Sequence, residues 1–298
     1  MEHISVLLKE TIYVINPKDN GIYVDMTLGA GGHTKYLLEK SAPNGKVIAF
    51  DKDSESIENA QKTLKTVYGD RLILVHSDYS DSLNKLHELG ISEVDGIIMD
   101  IGVSSYQIDT PDRGFSFLHN GTLDMRMDKE SQLTAYDIVN VWDEEDIADI
   151  LKTYGEERFS KRIARKIVSS RPISTTKQLA NIVTLAIPKN FYKKIHPATK
   201  TFQALRIVVN NELEYLKKGL ICAIEMLKDE GVLCVISFHS LEDRIVKNIF
   251  REYKHKQVLR LINKKPIYPN EEEIQNNRRA RSAKLRCVVK INKEGDAI

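Results

Sequence analysis

Four short apolar runs, each followed by a polar or helix-patterned stretch, constrain the fold of this chain more than any other feature of its sequence. They are Gly21-Ile-Tyr-Val-Asp25, Lys46-Val-Ile-Ala-Phe-Asp51, Arg71-Leu-Ile-Leu-Val75 and Val94-Asp-Gly-Ile-Ile-Met-Asp100. Continuous apolar strands separated by helices belong to a parallel sheet covered on both faces, where neither side of a strand meets water. The connecting stretches suit the covering helices. Thr34 to Lys40 is helical, and so is Ser54 to Val67, where Ser54 serves as a cap and Ile57, Ala60 and Leu64 recur at helical spacing.

From Thr134 to about Asn211 strand signals fade. Helical segments take over: Glu144 to Thr153, Arg158 to Ser170, Thr176 to Ala186 and one from near Ala198, separated by Gly155, Pro172, Pro188 and Pro197. The α/β pattern then resumes. A long helix runs to Lys228, Gly231 to Ser237 is a strand, Leu241 to Tyr253 a helix, and Gln257 to Ile262 and Leu285 to Ile291 are late strands. The expected architecture is a doubly wound α/β domain from residues 1–133 and 212–298, interrupted by an all-helical insertion, 134–211.

Composition narrows the class. With 42% hydrophobic residues the 298-residue chain can fill a core. Its net charge of +2 is small, so any nucleic-acid footprint must come from local clustering. Cys222, Cys234 and Cys287 form no CxxC pair, which points to neither a zinc site nor a disulfide framework, and no metal is expected. Met1 to Glu10 lacks the pattern of a signal peptide, and no run approaches the ~18 apolar residues of a membrane span. A soluble cytoplasmic protein with no membrane partner is expected.

The sharpest local signal is Asp25-Met-Thr-Leu-Gly29-Ala-Gly31-Gly32-His33-Thr34, which follows one strand and opens one helix. Glycines there allow a tight turn and close backbone approach to a ligand. The second strand ends in Asp51, with Asp53 two residues on. Gly29 to Asp51 is a step of 22 residues, near the spacing at which a βαβ unit offers an acid to a ribose diol. A dinucleotide would need a third glycine in GxGxxG. Counting from Gly29 or from Gly31, that position holds no glycine. S-adenosylmethionine carries no phosphate, and a looser turn of an acid followed by glycines suits it. Asp100 ends the fourth strand. Tyr79, after the third, is placed to stack on an adenine.

Several longer blocks carry a resemblance. They are His3-Ile-Ser-Val-Leu-Leu8, Asp100-Ile-Gly-Val-Ser-Ser105-Tyr-Gln107-Ile-Asp109, Arg113-Gly-Phe-Ser-Phe117, Leu123-Asp-Met-Arg-Met-Asp128, Tyr154-Gly-Glu-Glu-Arg158, His196 to Arg206, Ser237 to Arg244 and Arg279 to Arg286. Nearly end to end, the chain resembles the bacterial 16S rRNA cytosine-N4 methyltransferase family, RsmH or MraW. The resemblance implies a Rossmann-like class I methyltransferase sheet and S-adenosylmethionine bound by Gly31, Gly32, His33, Asp51, Tyr79, Asp100 and Gln107. It implies as substrate the cytosine at position 1402 of small-subunit rRNA, in the decoding centre. The chain departs from the pattern at Met26, where glycine is usual, and at Tyr106 and Arg278, where proline is common.

A cytosine amino group is a poor nucleophile because its lone pair is delocalised, so the protein must align it and accept its hydrogen bonds. Asp100 is the main catalytic candidate, with Ser104, Ser105 and His239 as others that can hold the base. The target base must leave its stack, at a few kcal/mol, and phosphate contacts must offset that. Arg158, Lys161, Arg162 and Arg165 share one arc at about 100° per residue. Arg278, Arg279, Arg281, Lys284 and Arg286 form a second cluster, and Arg126, Lys200, Arg206 and Arg244 lie in the family-like blocks. The acidic stretch Asp143 to Asp149 shows that the insertion is not uniformly basic. The partner expected is 16S rRNA, within the small ribosomal subunit. Monomer and homodimer both stay open. Three other readings stand beside this one: a methyltransferase of the same fold with another substrate, a nicotinamide-dependent oxidoreductase, and a non-catalytic RNA-binding factor.

Overall fold

The computed structural model describes residues 5–192 and 195–292, so His3 and Ile4 of the first family-like block lie outside it. The chain divides into two compact units. One is built from the residues through Gly102 together with those from Leu213 onward, and the other is Val103–Glu212.

The first unit is organised on a seven-stranded sheet: β1 (Ile22–Asp25), β2 (Lys46–Asp51), β3 (Leu72–His76), β4 (Val94–Asp100), β5 (Leu227–Ser237), β6 (Leu259–Leu261) and β7 (Lys284–Lys290). The order is β3-β2-β1-β4-β5-β7-β6, with β3 through β5 parallel and β7 antiparallel to both its neighbours. The sheet is thus parallel over the strands of the first hundred residues and mixed beyond β5. Both faces are covered, because successive side chains point to opposite sides. Val47 and Ala49 of β2 enter one core with Leu37 and Leu38, while Ile48 and Phe50 enter another with Leu86 and Leu220. Met26, at 1% exposure, fills the second of these cores, so the larger side chain is accommodated by packing.

Strand ends differ from expectation by a few residues. The helix expected over 54–67 is broken at Thr63 into Ser54–Lys62 and Leu64–Tyr68. β5 starts four residues early, at Leu227, and a register shift against β4 between Val94 and Gly96 absorbs the extra length.

The second unit is helical, with a core of its own. Its helices include Ala135–Val141, Glu144–Thr153, Ser160–Val168, Thr176–Ala186 and Thr199–Val209. Residues 103–133, expected to go with the sheet, group with these helices instead. Leu123 and Met125 are buried beside Ile138, Thr122 bridges to Thr175, and Asn210 bonds to both Met125 O and Met127 N–H. Such contacts carry no helical periodicity, so a pattern-based boundary overlooks them. Among the described residues, no helix is long and apolar enough to cross a membrane.

Candidate active site

In an open α/β sheet, ligands bind beyond the carboxyl ends of the strands, where the strand order reverses. Here that point lies between β1 and β4, which are adjacent and parallel, and each ends in an aspartate.

Asp25 is fully buried. Its Oδ2 accepts from the Thr34 hydroxyl at 2.7 Å and its Oδ1 from the Thr27 N–H at 3.1 Å. It therefore ties the strand end to the first turn of the helix Gly32–Lys40. Burial pushes its pKa up, against the pull of those hydrogen bonds. The Thr27 hydroxyl in turn accepts the Asp100 N–H at 2.7 Å, so the β1 turn holds the end of β4.

The glycine turn does what its composition demands. Gly29 and Gly31 have φ of 51° and 81°, in the left-handed region that favours glycine. A Cβ on Gly31 would stand 2.4 Å from Leu64 Cδ1, and one on Gly32 1.9 Å from Ser5 Oγ. At the end of β2, Asp51 accepts from the Gly29 N–H at 2.8 Å and the Asp53 N–H at 2.9 Å. Burial raises its pKa to about 6, against the pull of both amides.

Asp100 differs from the other two acids. Its Oδ1 is buried with no hydrogen-bond partner among the described residues. Its Oδ2 lies 3.7 Å from His33 Nδ1, too far for a hydrogen bond. Burial first, then the negative charges of Asp25 and Glu242, push its pKa well above the usual carboxylate range. His33 itself is buried at 4% exposure.

Tyr79 is half-buried against the β4 side of the core. Its ring owes its place to Gly219, where a Cβ would stand 2.4 Å from Tyr79 Cδ2. Next to it, Asp78 lies 3.5 Å from Lys52, whose ammonium sits 5.6 Å from the Tyr215 ring centroid. Thr27, Thr34, Lys52 and Gly219 were not among the sequence-derived candidates. Only the two threonines, inside the glycine turn, carried a local signal.

Several candidates have evident structural work. His239 caps the helix Ser240–His255, accepting from the Glu242 N–H, and its Nε2 lies 3.0 Å from Glu242 Oε1. In the helical unit, Ser104 and Gln107 form a reciprocal capping box on the helix Ser105–Asp109, and Gln107 is buried at 4% exposure. Ser105 is the first residue of that helix, and Tyr106 beside it is exposed.

The basic candidates differ in exposure. Arg158, Arg162 and Arg165 are exposed, opposite the buried Ile163 and Ile167, and Arg165 reaches Glu144 at 3.4 Å. Arg158 stacks over Phe159 and Phe191. Arg279 and Arg281 are exposed on the short turn Arg278–Ser282, and Arg244 is exposed. Arg126 instead staples its own loop, bonding Asp124 and the carbonyls of Lys129 and Ser131. Arg206 makes two 2.8 Å bonds to Glu212, Lys200 bonds the Glu156 carbonyl, and Lys284 and Arg286 both pair with Asp243.

Comparison with known proteins adds a sequence-level finding. A family model described as the MraW methylase family matches residues 1–291. A relative from Clostridium botulinum (strain Kyoto / Type A2), named ribosomal RNA small subunit methyltransferase H, is 47% identical, covering 97% of this chain and 99% of its own. The protein of that name from the Loch Maree strain is 46% identical over the same shares. Among solved structures, an rRNA methylase from Streptococcus thermophilus matches with a TM-score of 0.46 at 10% identity, over 98% of this chain and 100% of that one. NSun6 from Pyrococcus horikoshii matches with a TM-score of 0.48 at 15% identity, over 98% and 53%.

Proposed function

The chain belongs to the MraW methylase family, and from that premise we propose that it transfers a methyl group from S-adenosylmethionine to the N4 amino group of a decoding-centre cytosine in 16S rRNA. The observation that carries the chemistry is the buried, unpartnered Oδ1 of Asp100 at the switch point of the sheet. The substrate proposed is the rRNA within the small subunit, and the site of action the cytoplasm.

The residues fit the cofactor. Gly29 and Gly31 hold the turn in the left-handed conformation that brings bare backbone to the strand end, and Leu64 and Ser5 pack where Cβ atoms on Gly31 and Gly32 would stand. Asp51 is fixed by two amides at the strand end where a ribose diol is held, and each oxygen keeps a lone pair to accept from it. When bound, S-adenosylmethionine supplies a methyl already activated as a sulfonium. Asp100 is left to accept a hydrogen bond from the base amine through Oδ1, turning its lone pair toward the methyl, and to take its proton. Its raised pKa suits that second task. His33 walls the carboxylate on the Oδ2 side.

Asp51 gives a pH test. Its acceptor role needs the ionised form, so cofactor affinity is expected to be flat above pH 7 and to weaken below about pH 6, by up to tenfold per pH unit. The effect on folding runs the other way. A carboxylate whose folded pKa is raised binds more protons folded than unfolded, so its contribution to stability improves as pH falls through 6. Calorimetric titration of S-adenosylmethionine from pH 5 to 8 reads this out. A flat profile would remove Asp51 from the site.

For RNA, we propose that the exposed face of the helix Ser160–Val168 contacts phosphates. Arg162→Glu with Arg165→Glu should weaken binding several-fold and lower the slope of log K against log salt by about 1.4, since each single-strand phosphate contact contributes about 0.7. The same slope in the variant would make this face solvated surface only. The whole reading is tested by methyl transfer from radiolabelled cofactor to small subunits from cells lacking the protein. Label on a decoding-centre cytosine amine is expected. Tight cofactor binding without label would move the activity to another substrate.

A further inference from the structure

The sheet unit carries a second strongly basic feature, well away in sequence from the glycine turn. A cleft of about 170 Å³ lies between the helix Ser240–His255 and the β6–β7 edge. Five cationic side chains line it: Lys247 and Arg251 from the helix, Lys264 and Lys265 from the connection after β6, and Arg286 from β7. No carboxylate lines it. Its floor is apolar, formed in part by the buried Phe250 and Cys287.

We infer that this cleft binds the phosphate backbone of the RNA substrate, as a contact surface on the sheet unit additional to the helical unit. The inference rests on the proposed rRNA methyltransferase reading, which makes RNA the polyanion to be held. Three observations support it. Lys247, Arg251, Lys264 and Lys265 are exposed, and none of the four is in an ion pair among the described residues. Of the acids on the helix, Asp243 is already spent on Lys284 and Arg286, and Glu252, beside Arg251, on Lys256. Like charges at i, i+4, as in Lys247 and Arg251, repel each other along the helix, and a bound anion relieves that repulsion.

The wall bearing the two lysines is prebuilt. Asn263 donates to the Lys265 and Leu285 carbonyls and accepts the Cys287 N–H at 2.8 Å, and Ile267 pairs with Leu285. Ordering this loop therefore adds little further entropy loss on binding. The shape favours a chain over a single ion. Arg244, Lys247, Arg251, Lys254 and His255 share one face of the helix, a stripe that rises about 16 Å, more than one phosphate spans. Backbone contacts of this sort position a strand without reading its sequence.

The test uses the full chain and a fluorescein-labelled transcript of small-subunit rRNA, with anisotropy read at several salt concentrations. Lys247→Glu, Arg251→Glu, Lys264→Glu and Lys265→Glu together should weaken binding at least tenfold at 0.1 M salt. The salt slope should fall by about 2–3, at about 0.7 per contact. An unchanged Kd and slope, in a variant that still binds S-adenosylmethionine, overturns the inference. Should the fourfold variant not fold, Lys264→Gln with Lys265→Gln is confined to the exposed loop. It should lower the slope by about 1.4, and a slope equal to the parent's overturns the inference equally. Methylation of small subunits by the unaltered protein, run in parallel, judges the enzymatic reading separately. If it fails while RNA binding depends on the four cations, the cleft stands and the substrate assignment falls.

Discussion

Asp100→Asn should lose about 10²–10⁴-fold in the rate of methyl transfer while the protein melts at the same temperature or higher. The range is the usual contribution of a positioned acid–base group. The melting behaviour follows from the geometry. Oδ1 of Asp100 has no hydrogen-bond partner among the described residues, Oδ2 lies 3.7 Å from His33 Nδ1, and burial beside Asp25 and Glu242 disfavours the charged form. A carboxylate with a raised folded pKa withdraws stability at every pH above its unfolded value. That loss is complete above the folded pKa and is recovered as pH falls through it. Asparagine has the same shape without the charge, so it relieves the penalty at pH 8. Scanning calorimetry together with single-turnover transfer measures both sides. Full activity in the variant would take Asp100 out of the chemistry. A fall of many degrees in Tm would make it a structural residue. The expected pattern is that of a group whose local instability serves catalysis.

How far the sequence led can be judged element by element. The first four strands were legible because each is apolar throughout, and only a sheet covered on both faces accepts such runs. The reversed direction of β7 between β5 and β6 was not, because period and polarity carry no sense of chain direction. In the site, the glycine turn and the acid 22 residues on were visible, and the structure joins them through the Gly29 N–H to Asp51. What composition could not distinguish was a charged residue awaiting a ligand from one already matched within the fold. Arg126 has its acid two residues away, yet it sits in a block that reads as functional. Arg286 finds Asp243 from 43 residues off, a pairing that only the β5–β7 packing creates. His239 and Ser104 read as functional by position and turn out to cap helices, a role fixed by backbone dihedrals. Conversely, Lys247, Arg251, Lys264 and Lys265 are unremarkable in sequence and converge only once a helix packs against a strand connection.

Asp25 separates into a structural and an electrostatic contribution, and two substitutions should resolve them. Asp25→Ala removes the acceptor for the buried Thr34 hydroxyl and the part-buried Thr27 N–H. Leaving these two donors unmatched costs about 1–3 kcal/mol each, and the cavity left by a fully buried side chain adds to that. A loss of about 3–5 kcal/mol in the sheet unit corresponds to a Tm lower by about 10 °C, at roughly 2–4 °C per kcal/mol for a unit of this size. Cofactor affinity should fall with it, since the turn from Thr27 to Thr34 loses its anchor. Asp25→Asn keeps the shape and one acceptor, and the Thr34 hydroxyl can rotate to accept from the new amide, so its Tm should fall by only a few degrees. It does remove a negative charge that helps raise the Asp100 pKa. Without that charge the Asp100 pKa drops, and the acidic limb of the pH–rate profile of methyl transfer should move to lower pH. A merely structural aspartate would leave that limb where it is, so an unshifted profile in Asp25→Asn would confine Asp25 to holding the turn. A downward shift would show that the two strand-end acids work as an electrostatic pair, one raising the basicity of the other.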